Sequence, residues 1–325
     1  MKVFITREIC EPGLELLLKH GIQLNTWTEK RELTPRELVE KCKNVDALLS
    51  AGANKLDTEF LKQSAHLKVI SLHSVGFDNV DISEANRLKI PVGHIAEILS
   101  EPTSDISFLL MLAVSRKAFS GFERILQGEW NFFEPTRYLG IDIKGKTLGI
   151  FGMGNIGIEM ARKCKAAYNM EIIYCSRTQK ENAEKELNAT KVSFEELIRR
   201  SDVLSVHSTL NPETRGKFNK MVFDQMKPNS IFINTSRGAI HNEHDLIEVL
   251  QNKTIFGAGL DVTNPEPMDK NNPLLTMSNV AVLPHIGSAT VETRNAMSVM
   301  AAENIIAAFE GKRIPYPVNP EVYGS

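Results

Sequence analysis

Thr147-Leu148-Gly149-Ile150-Phe151-Gly152-Met153-Gly154-Asn155-Ile156-Gly157-Ile158-Glu159-Met160-Ala161-Arg162-Lys163 is the stretch whose reading decides the fold. Leu148–Phe151 is a short apolar run with the composition of a buried strand. Gly152, Gly154 and Gly157 follow at G-x-G-x-x-G spacing. Ile158–Ala167 then reads as a helix with Ile158, Ala161 and Cys164 on one side, and Glu171–Cys175 as a second strand. A strand, a glycine-rich turn, a helix and a strand within about thirty residues form the unit that binds a dinucleotide. Gly152 permits the tight turn, Gly154 admits a pyrophosphate to the backbone, and Gly157 lets the helix pack on the sheet. The helix N-terminus then offers unpaired N–H groups and the positive end of its dipole to the phosphates.

The end of the second strand bears on which dinucleotide. An NAD site has an acidic residue about twenty positions on, bonded to the ribose 2′-OH. Here the chain reads Tyr174-Cys175-Ser176-Arg177-Thr178, with no acid. Arg177, flanked by two hydroxyls, stands where a guanidinium grips a 2′-phosphate. NADPH is therefore expected in preference to NADH, with NAD still admissible.

Working outward, strand and helix alternate on both sides. Before the motif, Val3–Thr6, Ile22–Trp27, Ala47–Ser50, Leu67–Leu72 and Ile90–Val92 read as strands. Helices are expected over Pro12–His20, from the Thr34-Pro35 capping sequence, and over Asp57–Gln63. After it, strands are expected at Val203–His207, Ser230–Asn234, Ile255–Leu260 and Val280–Leu283, which makes six counted from Thr147. The helices between them read as Ser193 to about Arg200, Asn219–Met226 and Glu243–Gln251. One long helix is expected from Ser100 to about Leu126 and another over Thr290–Phe309. The expectation is an α/β protein of two doubly wound parallel-sheet lobes. Residues 1–100 with 291–325 would form one lobe, and residues 101–290 a nucleotide-binding lobe inserted into it.

Composition narrows the function classes. Lys and Arg number 38 against 40 Asp and Glu, a net charge of −2 with no basic block, which disfavours nucleic acid and acidic membranes as partners. The longest apolar run, Ile106–Val114, is too short to span a bilayer. The first residues lack the apolar core and cleavage site of a signal peptide. Cys10, Cys42, Cys164 and Cys175 form no C-x-x-C pair, so reduced thiols, no metal site and a cytoplasmic location are expected. Trp130, Phe132, Phe133 and Tyr138 lie on an aperiodic segment that suggests an oligomer contact or a lid, with core packing as the alternative.

Chemistry-bearing residues recur just beyond the expected strands. Asn234-Thr235-Ser236-Arg237-Gly238 follows one, Asp261-Val262-Thr263-Asn264-Pro265-Glu266-Pro267 the next, and Pro284-His285-Ile286-Gly287-Ser288 the last. Reducing a 2-keto acid places a hydride on C2 and a proton on its oxygen. Arg237 suits the substrate carboxylate and carbonyl through its planar fork of donors. His285 suits proton donation near neutral pH, and Glu266 would orient and charge-stabilise the imidazole. In isolation each has a plainer role, as an ion pair, a surface charge or a helix cap; their grouping favours catalysis. Earlier in the chain, the loop His73-Ser74-Val75-Gly76-Phe77-Asp78 follows a strand, where backbone N–H groups can face a carboxylate.

Taken together, Ser74-Val75-Gly76-x-Asp78, the glycine motif, Asn234-x-Ser236-Arg237-Gly238, Gly259-Leu260-Asp261-Val262 and Pro284-His285-Ile286-Gly287-Ser288-Ala289-Thr290 resemble the signature of the D-isomer-specific 2-hydroxyacid dehydrogenases. The resemblance spans nearly the whole chain. It implies a discontinuous flavodoxin-like substrate lobe, a central Rossmann lobe, a homodimer, and Arg237, Glu266 and His285 as the catalytic set. Ser74, Val75 and Gly76 would then contact the substrate together with Arg237 and His285. The expected cofactor contacts are Gly152, Gly154, Asn155, Ile156, Gly157, Ser176, Arg177 and Thr178. They extend to Thr103, His207, Thr235, Arg237, Asp261, His285 and Gly287. Gly128-Glu129-Trp130, Pro273-Leu274-Leu275 and Val318-Asn319-Pro320 are most similar to glyoxylate/hydroxypyruvate reductases, including the bacterial 2-ketogluconate reductase type. The competing expectations are an NAD-dependent enzyme of D-lactate or phosphoglycerate type, and a nucleotide-sensing scaffold. Two departures from the pattern are Asp105 in place of a common Glu and Ser208-Thr209-Leu210-Asn211-Pro212 in place of P-L-T-P.

Overall fold

The computed structural model describes residues 1–324. Met1–Leu99 with the chain from Ala289 onward makes one compact unit, and Ser100–Ser288 makes a second.

In the first unit, β1 (Lys2–Ile5), β2 (Gln23–Thr26), β3 (Ala47–Ser50), β4 (Val69–Leu72) and β5 (Val92–Gly93) pair in the order β2-β1-β3-β4-β5, all parallel. That is the flavodoxin-like order. Its helices are α1 (Glu11–Lys19), α2 (Pro35–Cys42), α3 (Thr58–Gln63), α4 (Ile82–Arg87) and, from the C-terminal part of the chain, α12 (Val291–Phe309). Alternate strand side chains go to opposite faces. Val3, Ile5, Ala47, Leu49 and Val69 pack with Leu17 of α1 and Met297 and Ala301 of α12, whereas Phe4, Leu48, Ile70 and Leu72 pack with Leu38, Phe60 and Ala85 of the other helices. The α12 helix closes one face through backbone approach: the Ser71 hydroxyl donates to the Ala301 carbonyl at 2.9 Å, and the Gly13 N–H donates to Ser298 Oγ at 3.1 Å. The Thr34–Glu37 capping box is formed in both directions, as its sequence predicts.

In the second unit, the strands are β6 (Thr147–Phe151), β7 (Glu171–Cys175), β8 (Thr190–Lys191), β9 (Val203–Val206), β10 (Ile231–Asn234), β11 (Gly257–Leu260) and β12 (Val280–Val282). They pair in the order β12-β11-β10-β9-β6-β7-β8, all parallel. This is the doubly wound dinucleotide-binding order with one strand added, and its direction reverses between β6 and β9. Its helices are α5 (Ser100–Ser115), α6 (Ala118–Leu126), α7 (Asn155–Tyr168), α8 (Glu181–Leu187), α9 (Phe194–Arg200), α10 (Lys220–Phe223) and α11 (Glu243–Gln251). Leu148, Ile150, Ile172 and Ile233 pack on the α5 and α7 side, and Phe151, Ile173, Leu204, Val206 and Phe232 on the α9 and α11 side.

Four expectations need correction. The second sheet has seven strands rather than six, because β8 is two exposed residues with no apolar run to reveal it. Helices α4 and α8 stand where the sequence reading leaves loops. The helix from Ser100 to Leu126 is two helices, broken where Lys117 adopts φ +52°. The break follows from a tertiary contact: the Ser115 carbonyl accepts the N–H of Ile141 at 2.9 Å, so the following loop packs into the end of α5. Finally, Trp130, Phe132 and Phe133 are exposed, which removes the core-packing reading.

Candidate active site

Every strand of the second sheet runs the same way, so the residues that follow them collect at one edge. Gly152 follows β6, Ser176 follows β7, His207 follows β9, Thr235 follows β10, and Asp261 follows β11. His285 lies three residues past β12. This is the C-terminal edge, where open α/β sheets bind ligands.

The glycine turn is built as its spacing predicts. Gly152 has φ +96°, and a Cβ there would sit 2.6 Å from the Ser208 nitrogen. A Cβ on Gly157 would sit 2.8 Å from the Gly152 carbonyl oxygen and 3.0 Å from Ile150 Cγ2, so only glycine lets α7 approach β6 this closely. A Cβ on Gly154, by contrast, would meet nothing within 4 Å. No side chain caps α7, leaving the amides of its first turn, at Asn155, Ile156 and Gly157, available to an anion. Ser208 Oγ is buried beside this turn without a hydrogen-bond partner among the described residues. An open space over Gly154, an uncapped helix and an orphaned hydroxyl fit a bound dinucleotide. Ser208 is a candidate site residue absent from the expected cofactor contacts, and only its deviation from the P-L-T-P pattern signalled it.

At the end of β7, Ser176 Oγ donates to the Thr178 carbonyl at 2.7 Å, so this hydroxyl shapes the turn. Arg177 and Thr178 are exposed, and Arg177 makes no ion pair among the described residues. At the end of β9, His207 Nε2 shares a 2.8 Å hydrogen bond with Ser205 Oγ, and burial pushes the imidazole down to about 3. Burial likewise takes His73 and His241 to about 4, with the Arg294 charge adding to the effect at His73. None of these three is a proton donor at neutral pH.

After β10, the buried Asn234 organises the turn that carries Arg237. Its Oδ1 accepts the Ser236 N–H at 3.0 Å, and its Nδ2 donates to the Arg237 carbonyl at 2.9 Å. Thr235 Oγ1 shares a 2.7 Å hydrogen bond with Ser107 Oγ of α5. After β11, Asp261 is buried, and its two carboxylate oxygens accept the N–H groups of Ile286 and Gly287, each at 2.8 Å. Burial raises the Asp261 carboxyl above its ordinary range against the pull of those two donors and of the His285 charge. The carboxylate therefore clamps the backbone just beyond His285, which itself sits at φ +54°, a conformation L residues rarely adopt unless held. Gly287 has little room for a side chain, since a Cβ would lie 3.1 Å from Asp261 Oδ2 and 3.3 Å from Thr103 Cγ2.

The clamp brings His285 Nδ1 within 2.5 Å of Glu266 Oε1. Burial alone would raise the Glu266 carboxyl, but the His285 hydrogen bond and charge, the Thr263 N–H and the Arg237 charge outweigh it and hold it below the usual range. Glu266 is thus an anion at neutral pH, and Nε2 of His285 is the ring nitrogen left for a substrate. The structure places Arg237, Glu266 and His285 on three adjacent strand ends, with Arg237 close enough for its charge to reach Glu266. In the first unit, the carbonyls of Ser74, Val75 and Gly76 are all engaged, by the Ile95 N–H, His94 Nδ1 and the Ser74 hydroxyl. The N–H groups of Val75 and Gly76 have no acceptor among the described residues. Among those residues no group of three or more His, Cys, Asp or Glu side chains is arranged to hold a metal.

A doubly wound sheet with this glycine turn, and a paired acid and imidazole at its ligand edge, defines an NAD(P)-dependent oxidoreductase. Residues 108–287 match the model of the D-isomer specific 2-hydroxyacid dehydrogenase NAD binding domain. Over the full chain, the protein is 41% identical to a glyoxylate reductase of Thermococcus litoralis, covering 98% of that relative. Among solved structures it is similar to a glyoxylate reductase from Paecilomyes thermophila, with a TM-score of 0.87 and 30% identity over 99% of this chain and 98% of that one. It is also similar to an NADPH-dependent glyoxylate/hydroxypyruvate reductase of Sinorhizobium meliloti, in complex with NADP and malonate, with a TM-score of 0.85 and 29% identity over 98% and 96% of the two chains. The chain belongs to the D-isomer-specific 2-hydroxyacid dehydrogenase family.

Proposed function

We propose that the protein reduces a small 2-keto acid, glyoxylate or hydroxypyruvate with 2-ketogluconate as a further candidate, to the D-2-hydroxy acid at the expense of NADPH. The observation that carries this reading is the 2.5 Å His285–Glu266 pair at the ligand edge of a dinucleotide-binding sheet. A bound nicotinamide supplies the hydride to C2. His285 donates the proton to the substrate oxygen from Nε2. Glu266 holds the ring by Nδ1 and stabilises its charged form. Arg237 binds the substrate carboxylate and polarises the carbonyl. We assign Ser100–Ser288 as the unit that takes the cofactor, and the Val75 and Gly76 amides, which have no acceptor among the described residues, as candidate anion donors of the unit formed by the chain ends.

The preference for NADPH rests on Arg177, exposed and without an ion pair, in a strand-end segment with no acid at 174–178. A charge-assisted contact to the 2′-phosphate contributes about 1.5–3 kcal/mol, or one to two decades of preference. A second copy of the chain is the partner we assign to the exposed Phe122, Leu126, Trp130, Phe132 and Phe133, an apolar surface that water disfavours. Four free thiols fit a reducing cytoplasm.

The test is a panel of 2-keto acids assayed by loss of reduced-cofactor absorbance with NADPH and NADH, for wild type and Arg177→Ala. The reading requires turnover of glyoxylate or hydroxypyruvate, a higher kcat/KM with NADPH, and loss of that advantage in Arg177→Ala. No reduction of any 2-keto acid would overturn the activity. An unchanged cofactor ratio in Arg177→Ala would overturn the assignment of Arg177.

A further inference from the structure

We propose that Tyr174 and Glu184 form a latch that fixes the 176–180 loop in the shape that presents Arg177 to the cofactor, making both positioning residues for cofactor choice. The proposal rests on the reading of Arg177 as the 2′-phosphate ligand.

Tyr174 is the penultimate residue of β7, and its side chain is fully buried. Its phenolic oxygen nevertheless reaches the loop that follows the strand. It accepts the backbone N–H of Lys180 at 2.8 Å and donates to Glu184 Oε1 at 2.8 Å. The other carboxylate oxygen of Glu184 accepts the Gln179 side-chain amide at 2.8 Å. The strand end and the first turn of α8 are thereby tied to one another through a single buried hydroxyl. Lys180 caps α8 without a side-chain hydrogen bond, and its own backbone N–H is held by the Tyr174 hydroxyl. The loop between is short, and the Ser176–Thr178 bond shapes its near end. Fixing both ends leaves Arg177 between Ser176 and Thr178, exposed and without an ion pair among the described residues.

The latch also has an electrostatic side. Glu184 lies in the first turn of the following helix, seven residues beyond Arg177, and once released it is a further carboxylate that competes with a phosphate for that guanidinium. Its hydrogen bonds from Gln179 and Tyr174 hold it below the ordinary carboxylate range and keep both oxygens committed. Removing the phenolic oxygen frees one carboxylate oxygen and one backbone N–H at once. The loop loses its shape, and Arg177 gains an internal partner.

The readout is the calorimetric Kd of two fragments, 2′,5′-ADP and 5′-AMP, with the full chain. Variants are Tyr174→Phe, Glu184→Ala, Glu184→Gln and Arg177→Ala. Glu184→Gln keeps an acceptor for the Tyr174 hydroxyl and is the conservative rescue. Glu184 lies at the surface end of the latch, so its variants leave the core intact where Tyr174→Phe disturbs it. The latch predicts that Tyr174→Phe and Glu184→Ala weaken 2′,5′-ADP by about three- to tenfold while 5′-AMP changes by less than about twofold, with Glu184→Gln near wild type. If Arg177→Ala weakens 2′,5′-ADP and the two latch variants do not, the latch is wrong and the role of Arg177 stands. If Arg177→Ala is itself without effect, the 2′-phosphate reading fails and the latch falls with it. Equal weakening of both fragments would show a general loss of loop structure and would also overturn the proposal.

Discussion

Replacing Glu266 with Gln removes a charge and keeps a shape, so it isolates the electrostatic part of the His285 pairing. The contact is 2.5 Å between Nδ1 and Oε1, which puts the centres of the two charged groups about 4 Å apart. Two unit charges at about 4 Å attract by about 1 kcal/mol in bulk water and about 4 kcal/mol at an effective dielectric of about 20. The side chains are 48% and 40% exposed, so solvent screens the pair and the lower end of that range applies. An attraction of about 1.5 kcal/mol corresponds to about a tenfold change in rate. Reduction needs the imidazole protonated, and the carboxylate favours that form. In Glu266→Gln the limb on which reductive kcat/KM falls with rising pH should therefore move toward acid, with the rate on that limb falling by up to about tenfold. Oxidation of the hydroxy acid needs the neutral ring, so its rising limb should move the same way. Initial rates in both directions across pH, with wild type and variant at matched ionic strength, give the two limbs. Unmoved limbs, or movement toward alkaline pH, would refute the reasoning.

Asp261→Asn leaves one backbone N–H, of Ile286 or Gly287, facing an amide donor instead of an oxygen; an unmet buried donor costs about 1–3 kcal/mol, so the melting temperature and kcat should both fall, checked by calorimetry and steady-state rates. Gly154→Ala should fold with wild-type stability, because its Cβ enters open space, yet bind cofactor more weakly by fluorescence titration. Gly152→Ala, at φ +96° against the Ser208 backbone, should instead lose stability by about 1–2 kcal/mol or more, measured by denaturant unfolding.

The two sheets were legible because their central strands are short apolar runs closed by turn residues and because the glycine spacing locates the first strand of the second sheet. What escaped was whatever lacks a local signal. The β8 strand is two exposed polar residues held only by pairing with β7, and α8 starts without a side-chain cap. The α4 helix was within reach: Asp81 accepts the Glu84 N–H in the D-x-x-E pattern that marks a helix start. The break at Lys117 was not, because a distant loop sets it at the Ser115 carbonyl. The same division runs through the site. Arg237, Glu266 and His285 show in sequence as reactive types beyond strand ends. The Asp261 clamp and the Ser208 hydroxyl take their places only once loops from separate strands meet, and the Tyr174–Glu184 latch only once α8 folds back on β7.

The central claim is that His285 delivers the proton during reduction of a 2-keto acid, and a paired measurement on His285→Gln tests it most directly. Single-turnover reduction of glyoxylate and hydroxypyruvate at saturating NADPH is compared with the NADPH Kd of the same preparations. The account predicts that the variant loses about 10²–10⁴-fold in rate, the usual contribution of a general acid, while its NADPH Kd stays within about twofold of wild type. A variant that binds NADPH and still reduces either acid at close to the wild-type rate would contradict it.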